Sequence, residues 1–302
     1  MWFWLSVIAL LCWSGSDLFS KIGCRDQDDK LGYLKMVIAV GVVMGLHAAY
    51  EIFVGGTEIT LGIMLKYLPV SLLYISSMTI GYLGLRYIEL SISSPICNSS
   101  GALVAVLYLA MNGLSDMNPW MLAAVALVSF GVIGLGVVEA NEDEDLRRAR
   151  QDVGNYRYAK SWLAIALPVI YCLLDALGTF ADSLVLETLD EASANVAYEL
   201  TFLLAGICCF IYVVLIRGER LLPKAEGPKY LGAIFETAGQ FAYIYAIGDS
   251  DHVMYAAPII SAYCTVSVLW SRLFLKERLG WKHYLMIALV IIGIVILGIF
   301  DV

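Results

Sequence analysis

The chain has 302 residues, of which 60% are hydrophobic and only 15% charged, with a net charge of −8 and a mean hydropathy of +0.79. A soluble domain is usually about a quarter charged. The deficit here runs along the whole length, so the composition excludes an ordinary soluble fold and points to a polytopic membrane protein. The acidic balance excludes a nucleic-acid partner, which needs a basic face.

The opening stretch MWFWLSVIALLCW has no basic start and no small-residue cleavage site, so it reads as the first membrane span and not as a removed leader. A span needs about 20 apolar residues, and the pattern predicts spans over 2–21, 34–54, 64–85, 91–112 and 119–139. After a polar stretch come 161–184, 194–216, 229–247, 252–275 and 281–300. Lipid offers no partners for free backbone groups, so runs of this length must be helices. The predicted fold is therefore all-α, with ten transmembrane helices and no room for a soluble catalytic domain. The seven cysteines form no C-x-x-C pair and read as small apolar side chains. No metal or cofactor is expected.

The polar stretch, NEDEDLRRARQDVGNYRYAK, is the only long linker. It divides the chain into residues 1–140, a cytoplasmic linker 141–160 and residues 161–302, with five spans on each side. The halves share a sparse pattern in the same order. Trp13 and Asp17 align with Tyr171 and Asp175, Tyr82 with Tyr243, and Pro95 with Pro258. An odd number of spans per repeat inverts the second half relative to the first, a common transporter plan. Every Lys and Arg except Lys66 falls in or beside the loops after spans one, three, five, seven and nine. The positive-inside rule then puts those loops in the cytoplasm and both termini outside.

Ionisable groups within a membrane are costly and read first as functional. Five acids stand in or near the ends of spans: Asp17, Asp175, Asp182, Glu199 and Glu236. No Lys or Arg is expected at comparable depth. Asp17 and Asp175 each carry an aromatic ring four residues earlier, Trp13 and Tyr171, on the same helix face. A carboxylate beside a ring is an arrangement that holds an ammonium group. For Asp17 a salt bridge to Lys21 is the competing reading. For Asp175 it is a hydrogen bond to a hydroxyl on a neighbouring helix. Glu236, Gln240 and Tyr243 form a polar stripe on span eight, where Gly239 is read as a packing residue. Glu199 is placed either at a gate or at the interface, and Asp182 at the interface. His47 reads as a proton relay or as a structural histidine. Pro95 and Pro258 are expected to kink or interrupt their helices, letting Asn98, Ser99, Ser100 and Ser261 line a cavity. Tyr74, Tyr82, Tyr243 and Tyr263 are candidates for a binding wall.

The stretch from Asp249 to Leu297 carries a Pro258-marked helix, the hinge Leu275-Lys276-Glu277-Arg278-Leu279-Gly280 and a Gly293-bearing apolar helix. It resembles the end of an EamA repeat of the drug/metabolite transporter superfamily. The first half carries Asn112 to Pro119 in place of the hinge and matches less closely. The resemblance implies a transporter, not an enzyme. It also implies a cavity lined by spans one, three, four, six, eight and nine, with peripheral spans five and ten and cytoplasmic termini. This last point conflicts with the charge bias. Relatives carry choline and small cations, and others export amino acids.

Together these readings predict an alternating-access carrier for a small organic cation or amine, a quaternary ammonium compound for example. Protons are a candidate coupling ion, and the bacterial cytoplasmic membrane is the expected setting. An exporter of amino acids or related metabolites and a non-transporting sensor or assembly subunit are the alternatives. The expected substrate contacts are Trp13, Asp17, Tyr74, Tyr82, Asn98, Tyr171, Asp175, Glu199, Glu236, Gln240, Tyr243 and Tyr263.

Overall fold

A computed structural model describes residues 1–24, 26, 28–85, 90–112, 118–141, 163–276 and 279–299. Residues 142–160 of the predicted linker, residues 113–117 of the first-half hinge, and Glu277 and Arg278 lie outside the described residues.

Helices α1 (Trp2–Cys24), α2 (Gly32–Tyr50) and α3 (Leu61–Gly84) are followed by the pair α4 (Leu90–Cys97) and α5 (Ser100–Asn112), then by α6 (Pro119–Ala140). The second half repeats this order with α7 (Leu163–Leu186), α8 (Glu191–Phe210), α9 (Pro223–Ile247), the pair α10 (Val253–Ser261) and α11 (Tyr263–Phe274), and α12 (Trp281–Ile299). Among the described residues there are no strands, and this is an all-α membrane protein. Nine spans among them are long and apolar enough to cross a membrane. The remaining long helix, α9, carries Lys224, Glu226, Lys229 and Glu236. Large apolar side chains such as Leu46, Phe53, Phe130, Leu215, Trp281 and Ile292 lie exposed on the outside, as a lipid-facing surface requires.

The prolines do interrupt their spans. Pro95 and Pro258 lie inside α4 and α10, and each span breaks within four residues of its proline, at Asn98–Ser99 and at Ala262. At the first break the backbone tightens to a bond three residues back, Ser99 N to Ile96 O, and at the second Ala262 N is shared between Pro258 O (3.0 Å) and Ile259 O (3.1 Å). This frees neighbouring side chains to turn inward.

The packing has a two-fold pattern. α1 packs most heavily on α9, and α3 on α7, the two pairings that exchange if the halves are swapped. α2 packs on α8 and α6 on α12, each element meeting its own counterpart. Glycines set these close approaches. A side chain at Gly131 would meet Val290 Cγ2 at 2.5 Å, and one at Gly293 would meet Val128 Cγ2 at 2.6 Å, two equivalent contacts across one interface. Gly41 and Gly206 bring α2 and α8 together, and a Cβ on Gly41 would lie 3.0 Å from Gly206 Cα. Both α2 and α8 end in a π-helical turn, Glu51–Gly55 and Ile211–Ile216. Each is soon followed by a left-handed glycine, Gly56 (φ 76°) or Gly218 (φ 68°), a conformation other residues adopt at a cost.

Three ionisable side chains near span ends are buried within the bundle. Asp182, expected at the interface, is fully buried within the bundle, and Tyr67 Oη donates to its Oδ1 at 2.7 Å. Buried lysines are present. Lys21 Nζ reaches the Leu85 carbonyl oxygen at 2.6 Å, and Lys229 pairs with Glu226 at 2.9 Å. Both lie toward one end of the bundle, where long side chains reach carbonyls or acids instead of lipid.

Candidate functional site

A central cavity of about 920 Å³, counting all space free of atoms and some open solvent, lies among α1, α3, α4–α5, α7, α8, α9 and α10–α11. Every predicted substrate contact except Glu199 lines it. Three carboxyl groups face it, Asp17, Asp175 and Glu236, and among the described residues lining it there is no Lys, Arg or His.

Each acid is held by serine. Ser94 and Ser267 both donate to Asp17 Oδ2, the latter at 2.8 Å. Asn98 sits one turn from Ser94 and donates to its hydroxyl at 3.2 Å and its carbonyl at 2.7 Å, which fixes that serine. Ser100 donates to Asp175 Oδ2 at 2.7 Å, and Ser16 to Glu236 Oε2 at 2.7 Å. The break in the fourth span matters here. It lets α4 and α5 aim Ser94 at one aspartate and Ser100 at the other. Asp17 is thus bound to hydroxyls on α4 and α11, while Lys21 is turned to Leu85. Asp175 does have a hydroxyl partner, as its competing reading held, yet its carboxyl still faces the cavity.

The rings form a contiguous wall. Trp13 stacks obliquely on Tyr243 with centroids 5.1 Å apart and meets Tyr263 edge-on at 5.8 Å. Tyr74 hydrogen-bonds Tyr243 through their hydroxyls and donates to Thr179 Oγ1 at 3.1 Å. Tyr198 meets Tyr74 edge-on at 6.0 Å. Trp13 and Tyr171 each lie against a glycine of the facing helix. A Cβ at Gly239 would lie 2.4 Å from Trp13 Cδ1, and one at Gly81 would lie 2.8 Å from Tyr171 Cδ2. The aligned aromatics of the two halves therefore occupy equivalent niches. Among the described residues, buried Tyr82 Oη and Gln240 Nε2 have no hydrogen-bond partner and belong to cavity-lining residues, so polar capacity remains for a bound molecule.

Glu199 stands apart. It is fully buried between α8 and α2, with His47 Nδ1 at 2.8 Å from its Oε1 and the Asn195 amide donating to the same oxygen at 3.0 Å. His47 Nε2 is also 3.8 Å from Glu51. The neighbouring Tyr198, which the sequence reading passed over, is the α8 residue that reaches the cavity. Ser16, Ser94, Ser267 and Thr179 were also missed. The only available signal was a hydroxyl within an apolar run. Of the four break-adjacent residues predicted to face the cavity, Asn98 and Ser261 line it. Ser100 reaches Asp175, whereas Ser99 donates to its own helix at Pro95 O.

A bundle of membrane-crossing helices around a polar central cavity defines a polytopic membrane protein with an internal binding space. Comparison with known proteins agrees: the model of the EamA-like transporter family matches residues 161–299. Residues 161–299, the second half of the chain, thus match a family of the drug/metabolite transporter superfamily. No curated protein sequence matches it significantly. A solved structure described only as "Crystal structure of protein" superposes with a TM-score of 0.63 over 98% of this chain and 95% of that one, at 14% identity. At that identity the likeness is one of fold alone.

Proposed function

We propose that the protein carries a small organic cation or amine across the membrane by exposing this cavity alternately to its two sides. The observation behind this reading is the three carboxyl groups on one cavity with aromatic rings around them and no basic side chain among the described lining. An uncompensated negative cavity is costly in a low-dielectric setting, and a bound cation completes it. Ring faces add attraction for ammonium groups, worth about 0.5–2 kcal/mol each. The same carboxyls are the groups that would take protons when substrate leaves, which supports proton exchange as the coupling step. An amino-acid substrate would need a base for its carboxylate, and the described lining offers none.

The test is a thermal-shift and liposome-uptake panel on the purified protein with tetramethylammonium, ethylamine, glycine and acetate. A ligand of the native state raises apparent stability by mass action. The two cations are expected to raise the melting temperature and to be taken up, and the double variant Asp17→Asn/Asp175→Asn to lose both responses. Equal shifts from acetate or glycine would overturn the cation reading. Binding without flux in well-sealed vesicles would favour a sensor over a carrier.

A further inference from the structure

The cavity acids are grouped unevenly. Glu236 is bonded by Ser16, the chain neighbour of Asp17, so these two acids share one wall. Asp175 stands on another wall, on α7. Both aspartates are tied to the same broken span, Asp17 through Ser94 and Asp175 through Ser100. Backbone bonds from Asn98 N to Ser94 O (3.0 Å) and from Leu103 N to Ser99 O (3.4 Å) flank the single tighter bond from Ser99 N to Ile96 O, so the chain still climbs along one axis across the break. Six residues at about 1.5–2.0 Å each separate the two attachment points by roughly 9–12 Å along the span. In each aspartate the serines engage Oδ2 only, and among the described residues no hydrogen bond reaches Oδ1. Each thus keeps one oxygen for a ligand, at two separated places in one cavity.

Building on the cation reading above, we infer that the cavity is shaped for a linear α,ω-diamine. One ammonium group sits at Asp17 and Glu236, the other at Asp175, and the methylene chain lies against the Trp13 and Tyr263 rings. A single ammonium uses one of the two anionic places and leaves the other uncompensated. A dication of the right length fills both, and one that is too short or too long does not.

The experiment is a titration of the purified protein with 1,3-diaminopropane through 1,8-diaminooctane, each beside the monoamine of equal carbon count. The expected result is an optimum at intermediate length, where the diamine binds about tenfold tighter than its monoamine, one further ion pair's worth of affinity. Asp175→Asn is expected to erase that advantage while monoamine binding persists, which also shows that the variant is folded. If Asp175→Asn does not fold, Ser100→Ala takes its place, and a length optimum unchanged there would overturn the inference. Diamines and monoamines binding equally at every length would also overturn it and leave the cation reading standing. No amine binding at all would sink both.

Discussion

At the scale of single residues, the buried acids divide by what holds them. Asp17, Asp175 and Glu236 take neutral hydroxyls and face open space, whereas Glu199 is engaged by His47 and Asn195 and faces none. Glu199→Gln is therefore expected to cost about 1–3 kcal/mol of stability, the scale of a lost charge-assisted hydrogen bond in a buried place, and to leave ligand-induced shifts intact. The double variant Asp17→Asn/Asp175→Asn is expected to do the opposite. Melting curves of both variants with and without tetramethylammonium separate the two roles. A Glu199→Gln protein that melts normally but ignores the ligand would move Glu199 into the transport machinery. The acids and rings were legible in the sequence because a charge in an apolar run has few innocent explanations. The serines were not. A helical serine can always bond its own backbone, as Ser6 does with Trp2 O, Ser14 with Leu11 O and Ser77 with Tyr74 O. Only tertiary packing turns Ser16, Ser94, Ser100 and Ser267 toward the carboxylates.

At the scale of elements, the cavity wall depends on how closely paired helices approach. Gly239 is the seat of the Trp13 indole and Gly81 that of the Tyr171 ring. Gly239→Ala puts a methyl carbon 2.4 Å from Trp13 Cδ1, so the indole or the α1–α9 contact must shift. A loss of about 1–3 kcal/mol is expected from overpacking, together with weaker cation binding. A variant with unchanged melting and affinity would show that the ring has room to move. The sequence reading did assign Gly239 to packing, but not its partner, because which ring faces a glycine depends on the register between helices far apart in sequence. Helix ends follow local rules. Asp190 caps α8 by accepting from Ser193 N at 2.8 Å. Its modest burial pushes the carboxyl up, but the Ser193 hydrogen bonds outweigh this and hold it below the ordinary 3.8. A group depressed on folding stabilises above its unfolded value and loses that contribution as pH falls through the folded one. Asp190→Ala should cost about 1 kcal/mol at neutral pH, and the gap between the two proteins should close below pH 3.8. A gap that persists in acid would assign the loss to something other than the ionised cap.

At the scale of the molecule, the paired contacts Gly131–Val290 and Gly293–Val128, the twin π-helical ends and the twin proline breaks express one pattern twice. The sequence showed this only as a few ordered identities, because an inverted repeat must preserve packing geometry, and many side chains satisfy that. Inversion also bears on orientation. On the expected plan of five spans per half, the loop between α2 and α3 and the loop between α8 and α9 fall on opposite faces. The loop holding Glu58 belongs to the acidic face, and the segment holding Arg217, Glu219 and Arg220 to the basic one. Because basic loops are retained in the cytoplasm, Glu58 is expected to be external. Glu219, which lies 3.8 Å from Lys35, is expected to be internal. Single cysteines at these positions, Glu58→Cys and Glu219→Cys, in a background with the native cysteines replaced, can be probed on intact cells with a membrane-impermeant maleimide. Labelling of position 58 alone is the expected outcome and fixes both termini outside. Labelling of position 219 alone would reverse the orientation, bring the termini inside as the EamA resemblance implies, and show that another determinant outweighs the Lys and Arg bias.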